Sequence, residues 1–173
     1  VTGSALVGGY EIVALARLHE RSSFDCGNAA LNRYVATQAL QDASRKVATV
    51  FGAIETASEA LHGFYSLAMA SVMTDRLPEA LRKKMPRYPT LPAVRLGRLA
   101  VHVDAQKRGL GTHLLMDAMA RSLQSDIAWV AFLVDAKDEQ ARSFYLPFGF
   151  LSFKDDPDKL FIPRKTLEPL FQE

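Results

Sequence analysis

A chain of 173 residues is the length of one ordinary domain and is long enough to bury a substantial core. Its composition, 49% hydrophobic and 23% charged, excludes a disordered protein, and the longest apolar run, residues 127–134, is too short to cross a membrane. The single cysteine excludes an intramolecular disulfide, the four histidines lack metal-ligand spacing, and the N-terminus lacks a secretory-signal pattern. We therefore expect a cytoplasmic protein with no metal site and no membrane association.

The net charge of +2 conceals a strongly basic segment, residues 76–98. This segment carries seven basic residues against one acidic residue, so its net charge is +6 and that of the remaining chain is −4. It also contains four of the eight prolines. The charge run has two interpretations, a solvent-exposed helix and loop or a patch that attracts a polyanion. Charge alone does not decide between them.

The first half of the chain predicts strands around one helix. Residues 10–15 predict a strand, and a cap-like cluster at residues 25–28 opens a helix whose apolar residues recur at helical spacing as far as Leu40. Residues 49–54 and 61–73 then predict two strands that are joined by a short polar turn.

After the basic segment, the pattern alternates between strands and helices. Residues 94–101 predict a strand, and apolar residues on one helical face predict a helix over residues 110–123. The apolar run at 127–134 predicts a strand buried on both faces. Asp138 caps a further helix, and two short strands, residues 150–153 and 159–162, close the chain. The sequence contains no repeat and no linker, so we predict a single domain over residues 1–173.

The stretch QKRGLG, residues 106–111, lies between a predicted strand and a predicted helix. The first turn of a helix presents unpaired N–H groups, glycine allows close approach to an anion, and Lys107 and Arg108 add positive charge. The dinucleotide fingerprint G-x-G-x-x-G fails because position 114 is Leu, and no Walker pattern is present. Taken alone, the stretch is either a glycine turn or a phosphate-binding loop.

Two motifs in the surrounding sequence resemble the GNAT superfamily of acyl-CoA N-acyltransferases. The first is L-A-V at residues 99–101 followed by Q-x-x-G-x-G and an amphipathic helix, and the second is D-E-Q-A-R-S-F-Y-L-P-F-G-F at residues 138–150. The resemblance implies an α/β (α+β) fold of GNAT type. Its central sheet is mixed and mostly antiparallel, has six to seven strands, splays at the acetyl-CoA site and is flanked by about four helices.

The same resemblance implies acetyl-CoA as co-substrate. The backbone of Leu99, Ala100 and Val101 is expected to meet the pantetheine and the thioester. Asp138 is also expected to contact the co-substrate; it stands where many members carry Asn, and it caps the helix without an amide donor. The expected pyrophosphate-binding residues are Gln106, Lys107, Arg108, Gly109, Leu110, Gly111 and Thr112.

Tyr145 lies on an apolar helical face, where an aromatic side chain belongs to the core, but the resemblance places its hydroxyl near the thioester sulfur as general acid. An amine that attacks a thioester requires a donor where the thiolate forms and N–H groups where the oxyanion forms. We identify no general base. An α-amino group, with a pKa of about 7.7–8.0, requires less deprotonation than a lysine with a pKa of about 10.4, so an aminoacyl ester fits such an enzyme.

Further motifs are similar to the tRNA-acetylating toxins of type II toxin–antitoxin modules. They are F-D-C-G at residues 24–27, H-G-F-Y-S-L-A at 62–68 and R-L-G-R-L-A-V at 95–101. The similarity implies acetyl transfer from acetyl-CoA to the α-amino group of aminoacyl-tRNA, which inhibits translation. It also implies a ribbon-helix-helix antitoxin as partner and a possible homodimer. In this reading the basic segment contacts RNA, and the candidate residues are Arg82, Lys83, Lys84, Arg87, Arg95 and Arg98.

Two other hypotheses remain open at this stage. One is a GNAT N-acetyltransferase that acts on a small-molecule amine or a protein N-terminus. The other is a non-catalytic module that keeps the fold and binds nucleic acid. The presence of both the loop glycines and Tyr145 favours an enzyme over the binding module.

Overall fold

The computed structural model describes residues 6–172, with side chains from residue 8 onward. The chain forms two compact units, one made of the residues up to Ala68 together with Gly97–Ala118, the other of Met69–Leu96 together with the residues from Met119 onward. The single domain over residues 1–173 stays a prediction.

The strands are β1 (Leu6–Val7), β2 (Tyr10–Ala14), β3 (Thr49–Glu55), β4 (Leu61–Met73), β5 (Thr90–Val101), β6 (Ala131–Asp135), β7 (Leu151–Ser152) and β8 (Lys159–Pro163). The α-helices are α1 (Ala29–Arg33), α2 (Ala39–Ser44), α3 (Glu79–Arg82), α4 (Leu110–Leu123), α5 (Glu139–Tyr145) and α6 (Arg164–Leu167).

The first unit pairs β1, β2, β3 and β4 in that order, and each pair is antiparallel. Its core is rich in aromatic residues because Phe24, Tyr34 and Phe64 pack together, with Tyr34 stacked on Phe64 at a centroid distance of 6.1 Å. Ala100 of β5 belongs to the same buried cluster. The end of β5 is therefore anchored in the core of the first unit.

The helical segment of the first unit begins where the sequence predicts, but it is not one regular helix. Asn28 caps α1, and its side-chain oxygen accepts hydrogen bonds from the N–H groups of Ala30 and Leu31. A π-helical turn, Tyr34–Gln38, then separates α1 from α2. This turn places Tyr34 and Val35 in the core, a local widening that regular helical spacing does not predict.

The second unit contains the one parallel pair among the described strand pairs, β5 with β6. Strand β6 also pairs with β8, and β8 pairs with β7, both antiparallel. A second core cluster includes Val72, Leu91, Ala93, Phe153 and Phe161. The second unit thus has the strand order β5-β6-β8-β7.

The predicted mixed and mostly antiparallel α/β architecture is confirmed. The described residues hold eight strands, against an expectation of six to seven, because the two-residue strands β1 and β7 extend the count. They hold six α-helices, against an expectation of about four, because the π-turn divides one helix and α3 and α6 are single turns of four residues.

Two predicted strands start four residues away from their predicted starts, whereas the limits of the others agree within one residue. The run at 127–134 forms β6 only from Ala131, because the buried Trp129 donates its indole N–H to the carbonyl of Ser122 at 2.9 Å and holds the preceding residues as a loop. Ile127 in that loop is 59% exposed, so the predicted burial is wrong there. Strand β5 begins at Thr90, ahead of the prediction, and includes Pro92. Proline has no N–H to pair, and here its carbonyl alone takes part in pairing by accepting the N–H of Val130.

Candidate active site

Strand β5 ends with the predicted thioester-binding residues. Its described pairing with β6 runs from Ala93↔Ala131 to Leu96↔Val134, within the second unit. Leu99, Ala100 and Val101 follow as the last residues of the strand and belong to the first unit.

Gly63 of the H-G-F-Y-S-L-A motif allows β4 to approach this segment closely. A Cβ on Gly63 would lie 3.2 Å from the carbonyl oxygen of Ala100 and 2.8 Å from Cδ1 of Leu114. A side chain here would therefore require Leu114 to shift and the Ala100 carbonyl to move by a few tenths of an ångström, so glycine permits the close packing. The motif thus has a packing role beside the candidate site.

The QKRGLG stretch forms a tight exposed loop ahead of a helix of 14 residues. Gly109 has φ +85° and Lys107 has φ +61°, so both adopt the left-handed conformation that is uncommon for lysine. The loop ends at Leu110, which is buried at the start of α4. The first N–H groups of α4 have no partner within the helix, so they and the two loop cations form a donor set that suits a phosphate group.

His113, which the sequence reasoning missed, closes this loop from the first turn of α4. Its ring Nδ1 lies 2.8 Å from the carbonyl oxygen of Gly109, and its backbone N–H donates to the same oxygen at 3.1 Å. Because a carbonyl can only accept, Nδ1 must carry a proton. A histidine four residues after a loop glycine was the available sequence signal.

The side chain of Gln106 is directed toward protein carbonyls. Its Nε2 donates to the carbonyl of Val101 at 2.9 Å and to that of Cys26 at 3.1 Å. In addition, the N–H of Val103 donates to the carbonyl of Asp25 at 2.8 Å. The F-D-C-G motif, distant in sequence, is thereby attached to the candidate pyrophosphate loop.

The F-D-C-G motif itself forms a closed turn. One carboxylate oxygen of Asp25 accepts the N–H of Gly27 at 2.8 Å and the side-chain N–H of Asn32 at 2.9 Å. These hydrogen bonds, the Gly27 one foremost, lower the pKa of Asp25 because they stabilise its charged form. Asn32 returns a bond through its side-chain oxygen, which accepts the N–H of Cys26 at 2.9 Å.

Tyr145 lies in the second unit, at the C-terminal end of α5. Asp138 caps this helix as predicted, with Oδ1 accepting the N–H of Ala141 at 2.8 Å. The Tyr145 ring packs edge-to-face against Phe144 and Phe150, and only 7% of the residue is exposed. Among residues 6–172, none accepts a hydrogen bond from its hydroxyl.

The environment keeps the Tyr145 hydroxyl protonated. Burial raises its pKa most, and the nearby negative charge of Asp135 raises it further. The hydroxyl bonds no residue among 6–172, so it is available to a bound molecule. The residue can therefore act as a proton donor at neutral pH.

Most of the predicted RNA-contacting residues lie in the second unit. Arg82, Lys83, Lys84, Arg87 and Arg95 are exposed. Three of them line an open cavity of about 680 Å³, whose full lining is Met73, Thr74, Asp75, Arg82, Lys83, Met85, Pro86, Arg87, Tyr88 and Pro89.

The backbone of the cavity is fixed, whereas two of its apolar side chains are exposed. The Thr74 hydroxyl donates to the carbonyl of Tyr88 at 2.5 Å, and the Thr74 N–H donates to the carbonyl of Pro89 at 3.0 Å. Tyr88 is 65% exposed and Met73 is 53% exposed. A basic cavity with an exposed aromatic ring has the chemistry that single-stranded nucleic acids prefer.

Arg98 differs from the other candidate cations. It lies in the first unit and is half-buried, and its guanidinium carbon lies 3.6 Å from the centroid of the Tyr34 ring. Arg76, also in the basic segment, pairs with Asp155 at 3.2 Å and stacks on Phe153. Two cations of the segment thus have packing roles.

Within residues 6–172 there is no group of three or more histidine, cysteine, aspartate or glutamate side chains that could hold a metal ion. In the same part of the chain, no helix is long and apolar enough to cross a membrane.

Comparison with known proteins identifies the family. The model of the acetyltransferase (GNAT) domain family matches residues 80–159. A tRNA-acetylating toxin of Mycobacterium tuberculosis is 35% identical over 151 residues, which cover 86% of this chain and 89% of the toxin.

Solved structures agree with this result. The toxin AtaT in complex with acetyl-methionyl-tRNAfMet is similar with a TM-score of 0.87 and 29% identity, over 94% of this chain and 99% of that chain. A Tyr-to-Phe variant of AtaT, bound to acetyl-CoA and to the C-terminus of the antitoxin AtaR, has a TM-score of 0.80 and 25% identity, over 95% of this chain and 99% of that chain. The chain therefore belongs to the GNAT acetyltransferases, in the family of the tRNA-acetylating toxins.

Proposed function

We propose that this protein transfers the acetyl group of acetyl-CoA to the α-amino group of aminoacyl-tRNA and thereby inhibits translation, as the toxin of a type II toxin–antitoxin module. The observation that carries the choice of acceptor is the 35% identity to a tRNA-acetylating toxin over 86% of the chain. The chemistry is supported by Tyr145, a buried and protonated hydroxyl without a protein partner among residues 6–172.

The donor set of the first unit fits acetyl-CoA, which supplies the activated acetyl thioester. In this proposal the N–H groups of Gly109, Leu110, Gly111 and Thr112 and the charges of Lys107 and Arg108 bind the pyrophosphate. The left-handed residues at 107 and 109 turn the chain so that α4 starts directly after the loop. The backbone of Leu99, Ala100 and Val101 binds the pantetheine arm and polarises the thioester carbonyl.

Tyr145 acts as the general acid. As the C–S bond breaks, negative charge develops on the leaving sulfur, and the Tyr145 hydroxyl donates its proton there. Its raised pKa keeps the proton on the phenol until that moment. Asp138 contributes by capping α5, the helix that ends at Tyr145.

The acceptor amine requires no dedicated base in this scheme. An α-amino group has a pKa of about 7.7–8.0, and the ester bond to tRNA withdraws electrons and lowers it further. A substantial fraction is therefore neutral and nucleophilic at physiological pH. This protonation state favours an aminoacyl ester over a lysine side chain.

The exposed cations of the second unit, Arg82, Lys83, Lys84, Arg87 and Arg95, bind the phosphates of the acceptor RNA in this proposal. Arg98 belongs to the same set by sequence, and its stacking on Tyr34 makes it the member to test separately. The partners are a ribbon-helix-helix antitoxin and, in a homodimer, a second copy of the chain. The antitoxin is supported by the AtaT relative bound to the C-terminus of AtaR. The acceptor places the protein in the cytoplasm.

Induced expression in a bacterium tests the proposal. We expect growth arrest, recovery of acetylated aminoacyl-tRNA from arrested cells, and relief of both by Tyr145→Phe. The matched control is Tyr10→Phe, which removes a hydroxyl from a half-buried tyrosine and should leave the arrest intact. Healthy growth with soluble wild-type protein, or acetylation confined to free amines and protein N-termini, would overturn the choice of acceptor.

A further inference from the structure

The side chain of Gln106 has no N–H left for a phosphate. Both of its amide protons are directed to carbonyl oxygens, those of Val101 and Cys26. Its remaining polar atom, Oε1, is an acceptor and does not attract an anion. Gln106 therefore has another task than direct contact with the pyrophosphate.

The two carbonyls lie on different parts of the first unit. Val101 is the last residue of β5, whereas Cys26 belongs to the turn that precedes α1. Between Val101 and Gln106 lies a single 3₁₀ turn, Val103–Ala105, whose first N–H donates to the carbonyl of Asp25. One end of this short turn is thus attached to Asp25 and the other to the adjacent Cys26 of the F-D-C-G motif.

The attachment point is itself rigid. Asp25 accepts two hydrogen bonds on one carboxylate oxygen, from Gly27 and Asn32. The Gly27 N–H belongs to the same peptide group as the Cys26 carbonyl, so Asp25 holds the peptide that contacts Gln106 from its other side. Asn32 likewise accepts the N–H of Cys26, in the peptide whose carbonyl accepts the N–H of Val103. Gln106 and Asp25 are both exposed, so hydrogen bonds and not burial hold this attachment point.

We infer that Gln106, Asp25 and Asn32 form a clamp that positions the loop at residues 107–109 for the pyrophosphate of acetyl-CoA. This inference rests on the proposed function of the loop. Lys107, directly after Gln106, holds the left-handed φ of +61°, and such a conformation persists only where its surroundings fix it. The clamp supplies that constraint before the co-substrate arrives, so the loop does not have to be ordered on binding.

Two substitutions at Gln106 distinguish the loss of its hydrogen bonds from the effect of an added negative charge. Gln106→Met keeps the length of the side chain and removes the donors without adding charge, whereas Gln106→Glu also places a carboxylate near the phosphates. Asn32→Asp removes the donor to Asp25 from the opposite side. The control is Gln124→Glu, at an exposed glutamine of the second unit.

The measurements are the KM for acetyl-CoA, kcat, the KM for aminoacyl-tRNA and the acetyl-CoA Kd by calorimetry. We expect Gln106→Met and Asn32→Asp to raise the KM and Kd for acetyl-CoA about tenfold, because the loop must then be ordered when the co-substrate binds. The values of kcat and of the KM for aminoacyl-tRNA should change less than about twofold.

Acetyl-pantetheine, which lacks the pyrophosphate, distinguishes loss of the clamp from a general structural defect. A general defect would reduce activity with both acetyl donors. The clamp variants should acetylate aminoacyl-tRNA from acetyl-pantetheine with the kcat/KM of the wild type. An equal loss with both donors, or an unchanged acetyl-CoA Kd in Gln106→Met, would overturn the clamp. If the wild type binds no acetyl-CoA at all, the proposed function fails, and the clamp fails with it.

Discussion

The guanidinium of Arg98 lies over the ring of Tyr34, 3.6 Å from the ring centroid, and the Tyr34 hydroxyl donates to Asp42 at 3.0 Å. Burial, followed by this hydrogen bond to Asp42, raises the pKa of Tyr34 to about 12. The phenol therefore stays neutral beneath the cation. The three residues link the end of β5, the π-turn and α2 within the first unit.

Loss of the Arg98 cation should weaken folding. Arg98→Ala removes the contact with Tyr34 and should lower the free energy of unfolding by about 1 kcal/mol, because a partly desolvated cation–π contact is worth about 0.5–2 kcal/mol. Urea denaturation measures the change. Arg95→Ala, at an exposed position on the same strand, serves as the control and should change stability by less than about 0.5 kcal/mol. Equal stability of the Arg98 and Arg95 variants would contradict the packing role.

Tyr145→Phe should lower the activity of the protein without lowering its stability. The substitution removes the proposed proton donor, so kcat should fall by about 10²–10⁴-fold while the Kd of acetyl-CoA is unchanged. Because no residue among 6–172 accepts a bond from the hydroxyl, the phenylalanine loses no internal hydrogen bond, and Tm should not decrease. Rate measurements, calorimetry and thermal unfolding test the three parts. A large drop in Tm would show that the hydroxyl has a structural partner.

The pH profile should have a single rising limb. The acceptor amine loses its proton as pH rises toward its pKa, at or below about 7.7, so kcat/KM for aminoacyl-tRNA increases and then levels off. The pKa of Tyr145 is raised above its ordinary value, so its acidic form persists through the plateau. Initial rates between about pH 6 and 9, with hydrolysis of the ester subtracted at each pH, measure this. A decline of kcat/KM between pH 8 and 9 would assign the general acid to a group other than Tyr145.

Arg87 should affect the RNA substrate and not the acetyl donor. Arg87→Ala should raise the KM for aminoacyl-tRNA and reduce the salt slope of log K by about 1, because one phosphate contact is lost. The KM for acetyl-CoA should stay within about twofold of the wild-type value. Lys165→Ala, an exposed lysine of α6, is the charge-matched control. If both variants behave alike, the effect reflects net charge and not the cavity.

The turn at Asp25 should make folding acid-sensitive. Its pKa is lower in the folded chain than the ordinary 3.8, so its charged form stabilises the fold above pH 3.8 and this contribution disappears as pH falls through the folded pKa. The Tm difference between the wild type and Asp25→Asn should therefore be largest near neutral pH and decrease in acid. Thermal unfolding from about pH 7 to pH 2 measures the difference, because the contribution is lost below the ordinary pKa of 3.8. A difference that does not change with pH would show that the carboxylate charge has no role in the turn.

The sequence predicted much of the local structure at the candidate site. Strand β4 has its predicted limits, Asp138 caps α5, and the QKRGLG loop joins β5 to α4 as expected. These features follow from short-range chemistry, the spacing of apolar residues, side-chain caps and glycine. The role of Tyr145 and the RNA contacts stay predictions.

The features that were not predictable depend on contacts between residues far apart in the sequence. Gln106 bonds a carbonyl 80 residues away, and nothing in a single sequence pairs these positions. The π-turn at Tyr34 is set by packing on Phe64, and the late start of β6 by the indole of Trp129. In each case a tertiary contact overrides a local pattern that is otherwise sound.

The interleaved order of the two units has a consequence for synthesis. The first unit requires Gly97–Ala118 in addition to the N-terminal residues, and the second is incomplete until the residues of β8 have been made. Since a chain emerges from the ribosome N-terminus first at about 5–20 residues per second, most of the protein must be translated before either core can close. An enzyme whose proposed target is the aminoacyl-tRNA pool thus stays inactive while its own ribosome still consumes that pool.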